Sequence, residues 1–212
     1  MISRQKLLDA AIRVYQAHGF RGATTRRIAE EAGVNEITIF RLFGSKGALI
    51  EAALQAEQDE TPEPIALPAE PRDPERELAA WCALQYATMR DRSALIRKTI
   101  SEAAERPEVH PCGTGEAECA ALELKAYIGR LARDGWITFE ERRGRTRDDL
   151  VNAAVGMLMG AIFADAMARD LMPELYPVPA DRALALYVRL FLRAIGVVRA
   201  SDRARSRLVP SS

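Results

Sequence analysis

The stretch from Gly22 to Ala48 constrains this chain more than any other. It predicts two short helices joined by a tight turn, with a further helix starting at once behind them. Thr24 or Thr25 is placed to cap the first helix, because a hydroxyl accepts from an orphan N–H one turn in. Ile28, Ala29 and Ala32 recur at helical spacing and give that helix one apolar side. Gly33 falls where a helix end wants positive φ. Asn35 is placed to cap the second helix, with Ile39, Leu42 and Phe43 as its inward face. Ser45 is placed to cap the helix beginning at Lys46. A bracing helix, a glycine turn and a short second helix with one packed and one free side make a helix-turn-helix.

On a helical wheel centred on Ile39, Ile37 and Arg41 fall opposite the packed side, with Glu36, Thr38 and Phe40 on the flanks. An outward isoleucine is most often a chance surface residue. Beside Arg41 it also suits a thymine methyl in the major groove, while Arg41 reaches a guanine edge or a phosphate. Glu36 reads first as an acid matched to the helix dipole, and second as an acceptor for a cytosine amine. Arg26 and Arg27, with Thr24 and Thr25, mark a helix start suited to a phosphate, and Lys46 marks a second one on the other flank. The whole chain of 212 residues is neutral. Any basic surface is therefore local. Residues 1–46 carry eight basic side chains against four acidic, an excess of +4 where the reading head is expected.

The rest of the chain predicts an all-α protein of about nine helices, since alternating Val/Ile/Thr runs are scarce. Residues 2–18 form an amphipathic helix with Leu7, Ala11, Val14 and His18 on one stripe, ended by Gly19. The expected limits are a DNA-binding domain at 1–57, an acidic proline-rich linker at 58–74, a second helical domain at 75–198 and a basic disordered tail at 199–212. Asp73, Pro74 and Glu75 are a strong helix start. Helices are expected at about 75–90, 93–105, 116–133, 146–171 and 180–198, the fourth capped by Thr146. Between them, Trp136 to Phe139 is a short extended piece or a buried turn, and Arg142 to Arg147 a basic loop.

Residues 150–168 form an apolar run broken by Asn152 and Asp165. It reads as a helix buried on several sides rather than a membrane span. Asp165 and Arg169, four apart, read as a solvated ion pair. Gly156 and Gly160 allow another helix close, within the chain or from a second copy. Trp81, Tyr86, Met89, Tyr127, Trp136, Met157 and Phe163 either line an apolar ligand cavity or fill the core.

Cys82, Cys112 and Cys119 form no CxxC pair and read as reduced thiols in a cytoplasm. Cys112, beside His110, is the candidate oxidant sensor. His18 and His110 are too few for a metal site, and no cofactor is expected. An enzyme lacks support, because no nucleophile–base pair or phosphate loop is present.

Residues of roughly 5 to 55 resemble the TetR family of transcriptional regulators. The resemblance lies in Thr24 and Thr25, Ile28 and Ala29, Ala32 to Val34, Thr38 to Phe40, Phe43, Ser45 and Lys46, and Ala48 and Leu49. It implies a homodimer on a palindromic DNA operator, released by a small-molecule effector. It also implies a dimer bundle built from Gly156 and Gly160 with Leu184, Tyr187, Val188, Phe191 and Ile195. Two heads on that bundle would read half-sites about one DNA turn or a multiple apart. The family commonly has tyrosine at position 40 and histidine or tyrosine at 42. Phe40 and Leu42 lack those hydrogen-bonding groups. The alternative is thus a helical interaction module with degraded DNA binding.

Overall fold

In a computed structural model of the chain, residues 4–59, 66–105, 114–137 and 147–197 are described. Among them are nine α-helices and one 3₁₀ turn. In chain order these are α1 (Arg4–Gly22), α2 (Thr25–Ala32), α3 (Glu36–Phe43), α4 (Lys46–Asp59), α5 (Pro74–Asp91), α6 (Ser93–Glu105), α7 (Thr114–Arg133), α8 (Arg147–Ala168) and α9 (Ala180–Ala194). The 3₁₀ turn is Pro173–Leu175. The all-α expectation holds for these residues; their one β feature is an isolated antiparallel bridge between Ile137 and Val197. That bridge is the short extended piece expected after α7. Thr146, Cys112, His110, Phe139, most of the basic loop and the tail at 199–212 lie outside the described residues.

The packing makes two units: Met1–Glu63 with Arg92–Thr114, and Pro64–Asp91 with Gly115–Ser212. In the first, Leu7, Leu8, Ala11, Ile12, Val14 and Tyr15 of α1 are buried together with Ile28, Ile39, Leu49, Ile50 and Leu95. Leu95 belongs to α6, so the first unit takes a helix from within 75–198. His18, expected on the buried stripe of α1, is exposed instead. The helix breaks directly after it, at Gly19, with φ 67° and ψ 177°, as its sequence predicts. On α6, Leu95, Ile96 and Thr99 are buried, while Ile100 points outward at 41% exposure. Thr99 is tolerated there because its hydroxyl donates to the carbonyls of Leu95 and Ile96.

In the second unit, Asp73 caps α5 by accepting from the Arg76 N–H at 3.2 Å, as its sequence predicts. The described part of the expected linker is tied down. The Leu67 N–H donates to Glu123 at 3.0 Å, its carbonyl accepts from Arg130, and its side chain is buried. Buried backbone needs partners, and one leucine with two bonds supplies the anchor.

Asp165 is the main correction in this unit. The expected solvated pair is fully buried on the aspartate side. Arg169 holds both carboxylate oxygens, at 2.7 and 2.6 Å. The Tyr86 and Tyr187 hydroxyls donate to the same carboxylate at 3.2 and 2.8 Å. Arg169 also donates to the carbonyls of Tyr176 and Val178, which joins the α8–α9 loop to the cluster. Desolvation pushes the Asp165 carboxyl up, but the bonds from Arg169, Tyr187 and Tyr86 outweigh it and leave it below the ordinary range. Burial and the bond to Asp165 push the Tyr187 phenol up to about 12.

Helix Asp148–Ala168 is apolar and long enough to cross a membrane. In the fold it packs on α5 and α9 and carries the buried Asp165.

Candidate nucleic-acid interface

The local chemistry of the helix-turn-helix follows the sequence closely. Thr24 is the cap of α2, its hydroxyl accepting from the Arg27 N–H at 3.3 Å. Gly33 ends α2 in the left-handed region at φ 68°, with its N–H bonded back to α2. Asn35 caps α3 through the Ile37 N–H at 2.9 Å, and Ser45 accepts from the Ala48 N–H at 3.1 Å. These caps fix where each helix starts, and so fix which residues of α3 face out.

Ile39 is fully buried and is the buried anchor of α3. Ile37, opposite it, is 72% exposed, and Arg41 is exposed beside it. Arg41 makes no hydrogen bond or ion pair among the described residues. Phe40 is 50% exposed. Leu42, expected on the inward face, is 47% exposed. The inward position is filled by Phe43, half-buried, whose ring lies 5.3 Å from the Arg4 guanidinium. Thr38 is half-buried at the side of the helix.

The flanks are less free than the sequence suggests. The Thr25 hydroxyl donates to Glu36, which favours the structural reading of that acid over base recognition. Arg26 pairs with Glu30 at 2.9 Å, but both side chains are largely in solvent. A surface pair like this exchanges readily for another anion. Arg27 donates to the Gly22 carbonyl at 2.8 Å and is otherwise exposed. Lys46 differs from its expected role as a free cation on the far flank. Its ammonium donates to the Phe20 carbonyl at 2.7 Å and lies 4.1 Å from the Phe20 ring centroid. Backbone carbonyl and ring face together hold it against α1.

The residues expected to line a ligand cavity differ in burial and in partners. Trp81 and Tyr127 are core, at 2% and 0% exposure. Tyr127 donates to Glu77, and burial followed by that bond pushes its phenol up. Tyr86 is held by Asp165, and Met89 is half-buried. Met157 and Phe163 point outward, at 50% and 38% exposure. Trp136 lines a cleft of about 430 Å³ with Asp73, Glu75, Arg189 and Arg193. The Trp81 indole N–H is buried with no acceptor among the described residues.

The expected dimer residues split as well. Leu184, Val188 and Phe191 are buried within the chain, because this side of α9 packs on α5 and α8. Tyr187 bonds Asp165, and Ile195 is half-buried. The outer side of α9 instead exposes Leu186 and Leu190, at 44% and 61%. Gly156 and Gly160 are exposed, with no atom within 4 Å of where a Cβ would stand. They therefore serve no close contact among the described residues. Burial pushes the Cys82 thiol up to about 12, which leaves it unreactive. Among the described residues, no group of three potential ligands could hold a metal ion.

A short, capped helix with one buried anchor and an exposed Ile37–Arg41 side, braced by a second helix across a glycine turn, defines a helix-turn-helix domain. Residues 7–53 of this domain match the model of the tetR family of bacterial regulatory proteins. The chain is similar to YvkB, an HTH-type transcriptional regulator of Bacillus subtilis, at 46% identity over 52 residues, 24% of this chain and 28% of that protein. It is also similar to DrrR1, an HTH-type transcriptional repressor of Streptomyces coeruleorubidus, at 26% identity over 196 residues, 91% of this chain and 61% of that protein. In both matches the chain spans less than two thirds of the relative. The fold is shared with a TetR-family regulator from Mesorhizobium loti, at TM-score 0.62 and 20% identity over 92% of this chain and 96% of that one.

Proposed function

We propose that this chain is a cytoplasmic transcriptional regulator that binds a palindromic double-stranded DNA operator as a homodimer. It represses until a small, largely apolar ligand releases it. The observation that carries the DNA reading is the outer side of α3, where Ile37 and the unengaged Arg41 stand beside each other. In the major groove, Arg41 takes a guanine edge and Ile37 a thymine methyl. Thr24, Thr25, Arg26 and Arg27 lie at the start of α2, where backbone N–H groups favour a phosphate. Phe40 and Leu42 meet the backbone without hydrogen bonds, so the cations carry the affinity. Lys46 contributes through its hold on Phe20.

The test is a titration of the purified chain with fragments from its own upstream region at several salt concentrations. Log affinity should fall steeply with log salt, with a slope of about 0.9 per neutralised phosphate. Arg41→Ala is expected to cost about 1–3 kcal/mol at the preferred fragment and little at unrelated DNA. An unchanged preference would remove Arg41 from the reading set. Absence of any preferred fragment would favour the interaction-module reading, which the exposed apolar Phe40 and Leu42 also suit.

For the homodimer, the support is that α8 exposes Gly156, Met157, Gly160 and Phe163, and α9 exposes Leu186 and Leu190. Two copies of this helix pair make a four-helix bundle in which the glycines admit close approach. Leu190→Glu should shift sedimentation from dimer to monomer; a dimer of unchanged stability would place the interface elsewhere. For the ligand, the support is the Trp81 N–H, a buried donor awaiting an acceptor. A releasing compound should both change Trp81 fluorescence and lower DNA affinity.

A further inference from the structure

Glu102 on α6 gives both carboxylate oxygens to the end of α1. Its Oε1 accepts from the Phe20 backbone N–H at 2.6 Å, and its Oε2 accepts from the Tyr15 hydroxyl at 2.8 Å. Tyr15 is 1% exposed, so its hydroxyl has a fixed place in the core. The break at Gly19 is what lets α6 come so close. A Cβ there would stand 3.0 Å from Glu102 Oε1 and 2.7 Å from Lys98 Cε. The same break makes the Phe20 N–H available to a side chain rather than to the helical ladder.

Phe20 is engaged on its other side too. Its carbonyl and ring hold Lys46, the first residue of α4. Only Gly44 and Ser45 separate Lys46 from the end of α3. A continuous set of contacts therefore runs from Glu102 through Phe20 and Lys46 to the C-terminal end of α3. Bonds to a carboxylate are directional and stronger than neutral ones.

We propose that Glu102 is a positioning residue for the reading helix: α6 latches the end of α1, and that latch sets where α3 is presented. The inference rests on the DNA-binding reading above. It makes the functional reading unit residues 4–59 together with 93–105, not the amino-terminal stretch alone. A plain structural role for Glu102 would lower stability and nothing else. A positioning role also lowers discrimination between DNA sequences, because the cations remain while their geometry relaxes.

The test uses the full chain with Glu102→Gln, which keeps the size of the side chain and removes its charge. Affinity for the preferred fragment is expected to fall about tenfold, the scale of one charge-assisted bond. Affinity for unrelated duplex at low salt should stay within about twofold, since phosphate neutralisation is unchanged. Hydrogen exchange at the Phe20 amide should speed up, and protection over Ile39 to Phe43 should drop. Tyr15→Phe removes one of the two bonds and should give a smaller loss. The double variant should lose less than the sum, because the two changes remove one shared contact. Faster exchange at Phe20 with unchanged preference for the fragment overturns the proposal. If the unaltered chain prefers no DNA at all, the DNA reading fails separately. The exchange arm then decides the latch: unchanged protection across α3 in Glu102→Gln overturns it, and lost protection supports it.

Discussion

Asp165→Ala should destabilise the second unit by about 3–5 kcal/mol, the scale for removing one partner of a buried ion pair. The variant deletes a fully buried carboxylate and leaves the Arg169 guanidinium and two phenols facing the gap. Arg169 would keep its bonds to the Tyr176 and Val178 carbonyls, so it cannot simply swing to solvent without releasing the α8–α9 loop. Urea unfolding followed by tryptophan fluorescence measures the effect, because both tryptophans, Trp81 and Trp136, lie in this unit. A loss under about 1 kcal/mol would mean the cluster rearranges around the missing group.

The same cluster sets a pH dependence. The Asp165 carboxyl is held below its ordinary value in the fold. A depressed carboxyl contributes stability that is fully present above its unfolded pKa, about 3.9. That contribution is lost as pH falls from there through the folded pKa. The second unit should therefore weaken in acid over that window. Asp165→Asn, lower in stability at neutral pH, should show a flatter profile there. Equal acid sensitivity in the two chains would assign the effect to other carboxylates.

Ile39→Ala should cost about 2–5 kcal/mol, the range for truncating a fully buried isoleucine. The effect is concentrated because α3 has 8 residues, and Ile39 is its fully buried side chain. A helix of that length has little stability alone and depends on its packed side. The Asn35 cap and the Gly44 end remain, yet they fix only the limits of the helix. The expected record is an early loss of helical circular dichroism in urea, with tryptophan fluorescence unchanged until a later transition. Specific DNA binding should vanish well before the second unit unfolds. Coincident transitions matching the unaltered chain would show that α3 does not rely on Ile39.

Much of the amino-terminal half was legible from residues within a turn or two of one another. Thr24, Gly33, Asn35 and Ser45 all act on backbone groups two to four residues away, and each does what its chemistry suggests. The wheel around Ile39 placed Ile37 and Arg41 correctly on the outside. It misplaced Leu42, because a wheel gives an angle but not the width of the neighbouring surface. His18 shares a stripe with Leu7, Ala11 and Val14 but stands at the end of the straight segment, beside the break at Gly19, where it is exposed.

The second half was legible as helices but not as faces. Leu184, Val188 and Phe191 have the right spacing for an interface, and equally for a core. Nothing in α9 alone distinguishes its two apolar sides. Tyr15 carried an unread signal: a tyrosine on a buried stripe needs an acceptor for its hydroxyl. That pointed to a polar partner from elsewhere in the chain, without naming Glu102. Tyr86 and Tyr187 implied such a partner in the same way, and it proved to be Asp165.

Sequence alone therefore determined the helix-turn-helix, its caps and turn, the all-α class, and the outward pair Ile37 and Arg41. These follow from backbone sterics, capping bonds and a period of 3.6, which act over a few residues. Tertiary structure alone decided that Asp165 is buried under two tyrosines from α5 and α9, that Glu102 holds the end of α1, and that Lys46 is turned onto Phe20. Those bonds join groups 22 to 87 residues apart. Their partners are set by how whole helices pack, since a buried charge or hydroxyl accepts whichever satisfied geometry the packing provides.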